Sequence, residues 1–249
     1  MTLRLLSYNI RYGGVGREGA LAGVIAAARA DVVILQEATA PRVVERVARE
    51  SGMAHWGSRR GESLGFLSRT PAQHVEWHKP RLSRHAFLEI VPEGGKWRVY
   101  GIHLSAVHAA WTERRRVYEL QALLASIGRR QPGPHALIGD FNTLAPGAVL
   151  DIKKLPPRLR ALVWLSGGRI RWRTIQTILH AGYADAFRHL HPDVVGNTFS
   201  ARDPHVRLDY LFVPGGVVAN VHSCTVLTDP PAADASDHLP LLAELDVDL

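Results

Sequence analysis

Apolar and polar positions along this chain switch between two periods. Residues 3 to 8 (LRLLSY) predict a strand, and residues 18 to 29 carry Leu21, Val24, Ile25 and Ala28 at helical spacing. VVILQE (32–37) is a short β-branched run of the buried type. Pro41 opens a predicted helix bearing Val43, Val44 and Val47, and Gly52 follows its end. From 54 to 105 the pattern changes: LGFLS, QHVEW, HAFLEIV and WRVYGIHLS predict short strands between Pro and Gly turns, with EGGK (93–96) as a hairpin loop. A helix over about 111–130 turns Val117, Leu120, Leu123, Leu124 and Ile127 inward. There follow a strand ending in GDFNT, a basic helical stretch at about 156–181, and the strands RLDYLFVP, VVANVHSCTVL and PLLAELDV. No repeat or linker interrupts the series. Hairpins mixed with βαβ units predict a single domain over 1–249, of α/β (α+β) class with mixed sheets, carrying a basic helical insertion at about 150–182.

Composition narrows the partners more than the fold. The chain of 249 residues is ample for a sizeable core, and 30 Lys and Arg against 23 Asp and Glu leave a net charge of +7. That balance favours phosphate-rich partners. The single cysteine, Cys224, excludes an internal disulfide framework and a Cys-rich zinc site, and is expected in the core. The N-terminus turns polar at Ser7, Asn9 and Arg11, and no apolar run approaches the roughly 20 residues that span a bilayer. A soluble, cytoplasmic monomer is expected. His189 and His191 in RHLHPD are expected at a solvated helix end.

The chemistry is concentrated where strands end. GVGREG (14–19) matches a dinucleotide-binding pattern, with Glu37 near the expected distance beyond it. Polar Ser7, Asn9 and Arg11 stand where that pattern wants a tight glycine turn, so a loop capping a helix is the expected reading. Other strands end at Asn9, Glu37 and His103, and at Asp140 with Asn142. Asp209 lies within RLDY, and Asp237 and His238 immediately precede the last strand. One such residue is an ordinary turn former; six strand ends carrying them suggest a site positioned by rigid strands. Carboxylates and carboxamides suit Mg²⁺ or Mn²⁺ better than Zn²⁺. Glu37 could bind the ion, with Asp237 and Asn9 completing its shell. Asp140 could orient and deprotonate water, and Asp209 could fix the tautomer of His238. This inventory fits metal-assisted hydrolysis of a phosphate ester. No G-x-S-x-G elbow, H-E-x-x-H, Walker loop or CxxC competes with it.

In order, SYNIR (7–11), LQE (35–37), GIHLS (101–105), GDFN (139–142), RLDY (207–210) and SDH (236–238) resemble the endonuclease/exonuclease/phosphatase superfamily over about residues 3 to 246. The resemblance implies a four-layer sandwich of two packed mixed β-sheets flanked by helices, with the site at one end. It implies Glu37 as principal metal ligand with Asn9 beside it, and Asp237 as a further metal-site carboxylate. Asp140 would position the attacking water and Asn142 would contact the transition-state phosphate. His238, paired with Asp209, would be the catalytic histidine, and His103 would contact phosphate. One or two Mg²⁺ or Mn²⁺ ions are implied as cofactor.

Which ester is cleaved depends on the surrounding loops. Between Lys153 and Arg173, seven basic residues occur with no acidic one, and Trp164 and Trp172 are interleaved among them. That mixture suits a nucleic-acid backbone and its bases. It would also lie on an anionic membrane surface, or form an amphipathic helix packed on a sheet. The leading expectation is a phosphodiesterase acting on DNA or RNA. A phospholipid or phosphoinositide phosphoesterase is the alternative, and a non-catalytic nucleic-acid binder comes third.

Overall fold

The computed structural model describes residues 1–81, 83–106, 110–130, 133–148, 160 and 172–247. Most of the basic stretch at 150–182 therefore lies outside the described residues. The first sheet has the order β11-β12-β1-β2-β4-β3, built from β1 (Thr2–Asn9), β2 (Val32–Gln36), β3 (His55–Ser58), β4 (Leu64–Ser68), β11 (Val221–Val226) and β12 (Leu241–Asp246). The second has the order β5-β6-β7-β8-β10-β9, from β5 (Ala72–His78), β6 (Phe87–Pro92), β7 (Arg98–His103), β8 (His135–Asp140), β9 (Tyr183–Asp185) and β10 (Asp209–Pro214). Both are mixed: β1–β2 and β7–β8 are parallel, and the remaining pairs are antiparallel.

The period-2 alternation of the strands makes four layers. Leu3 and Leu5 of β1 and Val32 and Ile34 of β2 meet Leu88, Val99, Ile138 and Leu211 of the opposite sheet. The intervening residues Leu6, Tyr8, Val33 and Leu35 face outward onto α1 (Glu18–Ala28), α2 (Pro41–Ser51) and α6 (Pro230–Ala235). On the other side Tyr100, Ile102, Leu137 and Phe212 pack against Leu120, Leu123 and Ile127 of α3 (Ala110–Arg130) and Ile175 and Ile178 of α4 (Arg173–His180). A short helix, α5 (Ala186–Leu190), is capped by the Asp185 side chain. Pro41 starts α2, and Gly52, in the left-handed region at φ 73°, ends it. Among the described residues, no helix is long and apolar enough to cross a membrane.

Several details differ from the expectations. β3, β9, α5 and α6 did not stand out in the apolar pattern; each is at most six residues long. Residues 217–220 belong to a 3-10 turn (Gly215–Asn220), so the expected strand 217–227 begins at Val221. Asp209 is the first residue of β10, because the pairing with β8 starts at Asp140. His189 is exposed, but His191 is half-buried, with its ring against Phe187 and Nε2 3.1 Å from the Cys224 carbonyl. Cys224 is fully buried in β11.

Strand direction decides where the chemistry gathers. β1, β2, β7 and β8 finish at the end of the sandwich where β10 and β12 begin. At that end the inward-facing row turns polar: Leu3 and Leu5 give way to Ser7 and Asn9, and Ile34 to Gln36. Similarly Val99 gives way beyond Gly101 to His103, and Ile138 to Asp140. The buried Ser7 and Gln36 side chains satisfy each other (Gln36 Nε2 to Ser7 Oγ, 3.1 Å), which allows polar groups inside the sandwich at that end.

Candidate active site

Asn9 joins the two sheets. Its Nδ2 donates to Asp140 Oδ2 at 3.1 Å and lies 3.4 Å from Glu37 Oε1, while its Oδ1 accepts from the Arg11 backbone N–H at 3.0 Å. The Tyr12 N–H donates to Glu37 Oε2 at 2.6 Å. Glu37, Arg11, Tyr12 and Asn142 all have φ between 48° and 58°, an uncommon region for these residue types. Four such residues at one end of the molecule are a concentration of backbone strain typical of functional sites. Of the glycines in GVGREG, Gly14 is required by packing, because a Cβ there would stand 2.8 Å from Leu21 Cδ1, and Gly16 by its left-handed φ of 76°.

Asp140 and Asn142 form one unit. The Asn142 backbone N–H donates to Asp140 Oδ1 at 2.8 Å, and its Nδ2 donates to Asp140 Oδ2 and the Leu104 carbonyl, both at 3.0 Å. Asn142 therefore braces the carboxylate in this structure. Gly139 must be glycine: at φ 150°, a Cβ there would lie 2.0 Å from the Ile102 carbonyl oxygen of β7.

On the far wall, His238 Nδ1 is 2.9 Å from Asp209 Oδ2, and its Nε2 is 3.9 Å from Asp140 Oδ2. Burial opposes a charge on His238, but Asp209 and Asp140 outweigh it and push the imidazole up to about 10. Asp140 is itself moved well above the usual carboxylate range, because burial and Asp209 oppose its ionisation more than His238 favours it. Ligand atoms of Asp140, Asp209 and His238 lie within 4.8 Å of one another. His103 Nε2 is 3.9 Å from the same Asp140 oxygen, and burial followed by His85 and His238 keeps His103 neutral. Asp237 stands at the rim, ion-paired with Arg11 Nε at 3.2 Å, and the neighbouring Ser236 Oγ donates to the Asn9 carbonyl at 2.6 Å. All eight expected residues thus meet at one end of the sandwich.

Two contributions were invisible in the sequence pattern. His85 stacks on His103 with ring centroids 4.8 Å apart, and burial and Arg84 lower its pKa to about 4. The inward stripe of α3 also continues as the buried charges Glu113, Arg116 and Glu119. Glu119 accepts from the Arg84 N–H at 3.0 Å, Arg116 donates to the Ser105 carbonyl at 2.7 Å, and Glu113 holds Arg116, Thr174 and Thr143. Together they anchor the segments carrying His85, His103 and Asn142.

A sequence profile described as the Endonuclease/Exonuclease/phosphatase family matches residues 6–238. The chain belongs to that family. It is accordingly a hydrolytic phosphoesterase, and its two six-stranded sheets flanked by helices are the family's sandwich. No curated protein matches the phosphoesterase in sequence. In fold it is similar to an AP endonuclease from Archaeoglobus fulgidus (20% identity, TM-score 0.74, 98% of this chain and 100% of that one). It is also similar to the 3′-5′ exonuclease NExo of Neisseria meningitidis (19%, TM-score 0.70, 98% and 100%). A third similar structure is the 3′ phosphatase NExo from Neisseria bound to a product DNA hairpin (19%, TM-score 0.71, 98% and 99%).

The donor set fits a divalent cation. Four carboxyl side chains, Glu37, Asp140, Asp209 and Asp237, stand with only His238 and Arg11 as the basic partners named at the site, so acidic groups outnumber basic ones there by two. Asp209 Oδ1 is buried and has no hydrogen-bond partner among the described residues, a further acceptor that positive charge would stabilise.

Proposed function

We propose that this phosphoesterase is a Mg²⁺- or Mn²⁺-dependent phosphodiesterase acting on nucleic acid. The observation that carries the reading is the approach of His238, held by Asp209, to within 3.9 Å of an Asp140 carboxylate that Asn9 and Asn142 already orient. Glu37 would hold the ion, with Asn9 beside it and Asp237 across Arg11, as hard oxygen donors. When bound, the ion neutralises phosphate charge and stabilises the departing oxyanion. Asp140, braced on both oxygens, orients the attacking water and accepts its proton; a carboxylate with a raised pKa is the stronger base. His238, kept cationic by Asp209, presents Nε2–H to a phosphate oxygen. His103, neutral and stacked on His85, offers a second ring nitrogen to the phosphate.

Support for nucleic acid as the substrate comes from two sources. The net charge of +7 favours a polyanion. The three similar structures are described as a 3′ phosphatase with product DNA, a 3′-5′ exonuclease and an AP endonuclease. Purified protein should be assayed with Mg²⁺, Mn²⁺ or EDTA against single- and double-stranded DNA, RNA, and phosphoinositide or sphingomyelin vesicles. Cleavage of a nucleic acid that EDTA abolishes is the expected result. Cleavage confined to lipid, or undiminished in EDTA, would overturn it.

A further inference from the structure

The second sheet ends in an edge strand with an unusual outer face. His74, Glu76 and His78 take alternate positions of β5, whereas Val75 and Trp77 between them pack into the inter-sheet core. Register places Glu76 directly opposite Glu89 of β6. Opposed carboxylates repel across a strand pair, and Glu89 is only 4% exposed. Arg98 binds Glu89 Oε1, which leaves one negative charge of the pair uncompensated. The histidines converge on that charge: His78 Nε2 is 2.6 Å from Glu89 Oε2 and Nδ1 is 3.4 Å from Glu76 Oε1, while His74 Nε2 is 3.5 Å from Glu76 Oε2. Ligand atoms of His74, Glu76 and Glu89 all lie within 4.8 Å of one another.

We propose that His74, Glu76 and Glu89 hold a divalent transition-metal ion of the zinc type, with His78 steadying Glu89 from beside it. Imidazole mixed with carboxylate is a zinc donor set, and Mg²⁺ prefers oxygen alone. Bonds of about 2.0–2.2 Å to a tetrahedral ion separate its donors by roughly 3.3–3.6 Å; the 3.5 Å between His74 Nε2 and Glu76 Oε2 already has that spacing. Two of the donors are reachable, since the His74 and Glu76 side chains are exposed and Glu76 lines a groove of about 390 Å³ shared with Tyr118 and Leu123 of α3. The ion bridges β5 to β6 beside the register shift between Ala72 and His74, and so clips a strand whose other edge pairs with no strand among the described residues. This clip shares no residue with the candidate active site.

The test is calorimetric titration of the full-length, EDTA-treated protein with ZnCl₂, in millimolar Mg²⁺ to occupy the cleft. Because the cleft could also take zinc, the result is read as a difference between proteins. Wild type is expected to bind one equivalent more than His74→Ala or Glu76→Gln. His78→Ala should keep that equivalent but weaken it on the order of 10–100-fold. Zinc should also raise the wild-type Tm further than that of His74→Gln, an exposed and conservative change. Equal stoichiometry and affinity in wild type and His74→Ala, or an equal zinc-induced rise in Tm, would overturn the proposal.

Discussion

Asp209 acts through another side chain, and this separates its role from that of the residues around it. Asp209→Asn keeps the shape but removes the largest of the charges that offset the burial of His238, so the imidazole should titrate below about 10. NMR of the ring protons checks this, and an unmoved titration would refute the pairing. The linkage has a definite sign. The folded pKa of His238 is raised, so the stability it confers is complete below about pH 6.5 and is lost as pH rises through about 10. The gap in urea stability between wild type and Asp209→Asn should therefore narrow over that window. Glu37→Ala should lose Mg²⁺-dependent turnover, and His238→Ala should lose about 10²–10⁴-fold. Both should keep a wild-type circular dichroism spectrum; undiminished turnover in either variant would end the assignment. The eight residues were legible because each is a polar group at the end of an apolar run, in the turn just beyond it, or at or just before the start of the next one. His85 was not, since nothing local distinguishes a histidine that will stack on His103 from one in a solvated turn.

Elements reach the site through α3. Its apolar stripe was readable from Leu120, Leu123 and Ile127, but Glu113, Arg116 and Glu119 on the same side look solvent-facing in sequence. Only partners as distant as Thr174 and Arg84 make their burial tolerable. Glu113→Ala removes a buried carboxylate that accepts from Arg116, Thr143 and Thr174 and should cost about 1–3 kcal/mol in urea unfolding. A loss under about 1 kcal/mol, the usual scale of exposed pairs, would show the network to be incidental. Gly139→Ala, which would drive a methyl into the Ile102 carbonyl, should cost at least about 1–3 kcal/mol and lower Tm. Short elements escaped the pattern for a simple reason: strands of three or four residues such as β9 and β3 are too brief to show alternation, and pairing with a neighbour defines them.

The whole molecule is a basic sandwich with its candidate site at one end, and its charge should govern encounter with substrate. If a polyanion spans more than the scissile phosphate, apparent affinity should fall with salt, with a log–log slope near about −0.9 per duplex phosphate contacted. Fluorescence anisotropy of a labelled duplex in Ca²⁺ or EDTA would measure that slope; a flat response would mean that one phosphate alone is gripped. The layer order followed from alternating strands and amphipathic helices, whereas the pairing of β12 with β1 depends on contacts more than 200 residues apart in sequence. The lone thiol reports on the neighbouring pairing of β11 with β12. Cys224 is sealed within β11, an outer strand of the first sheet, and burial pushes its thiol far up. A thiol reagent can reach it only when this border peels away, so the speed of labelling would time the opening of the sheet without any engineered probe.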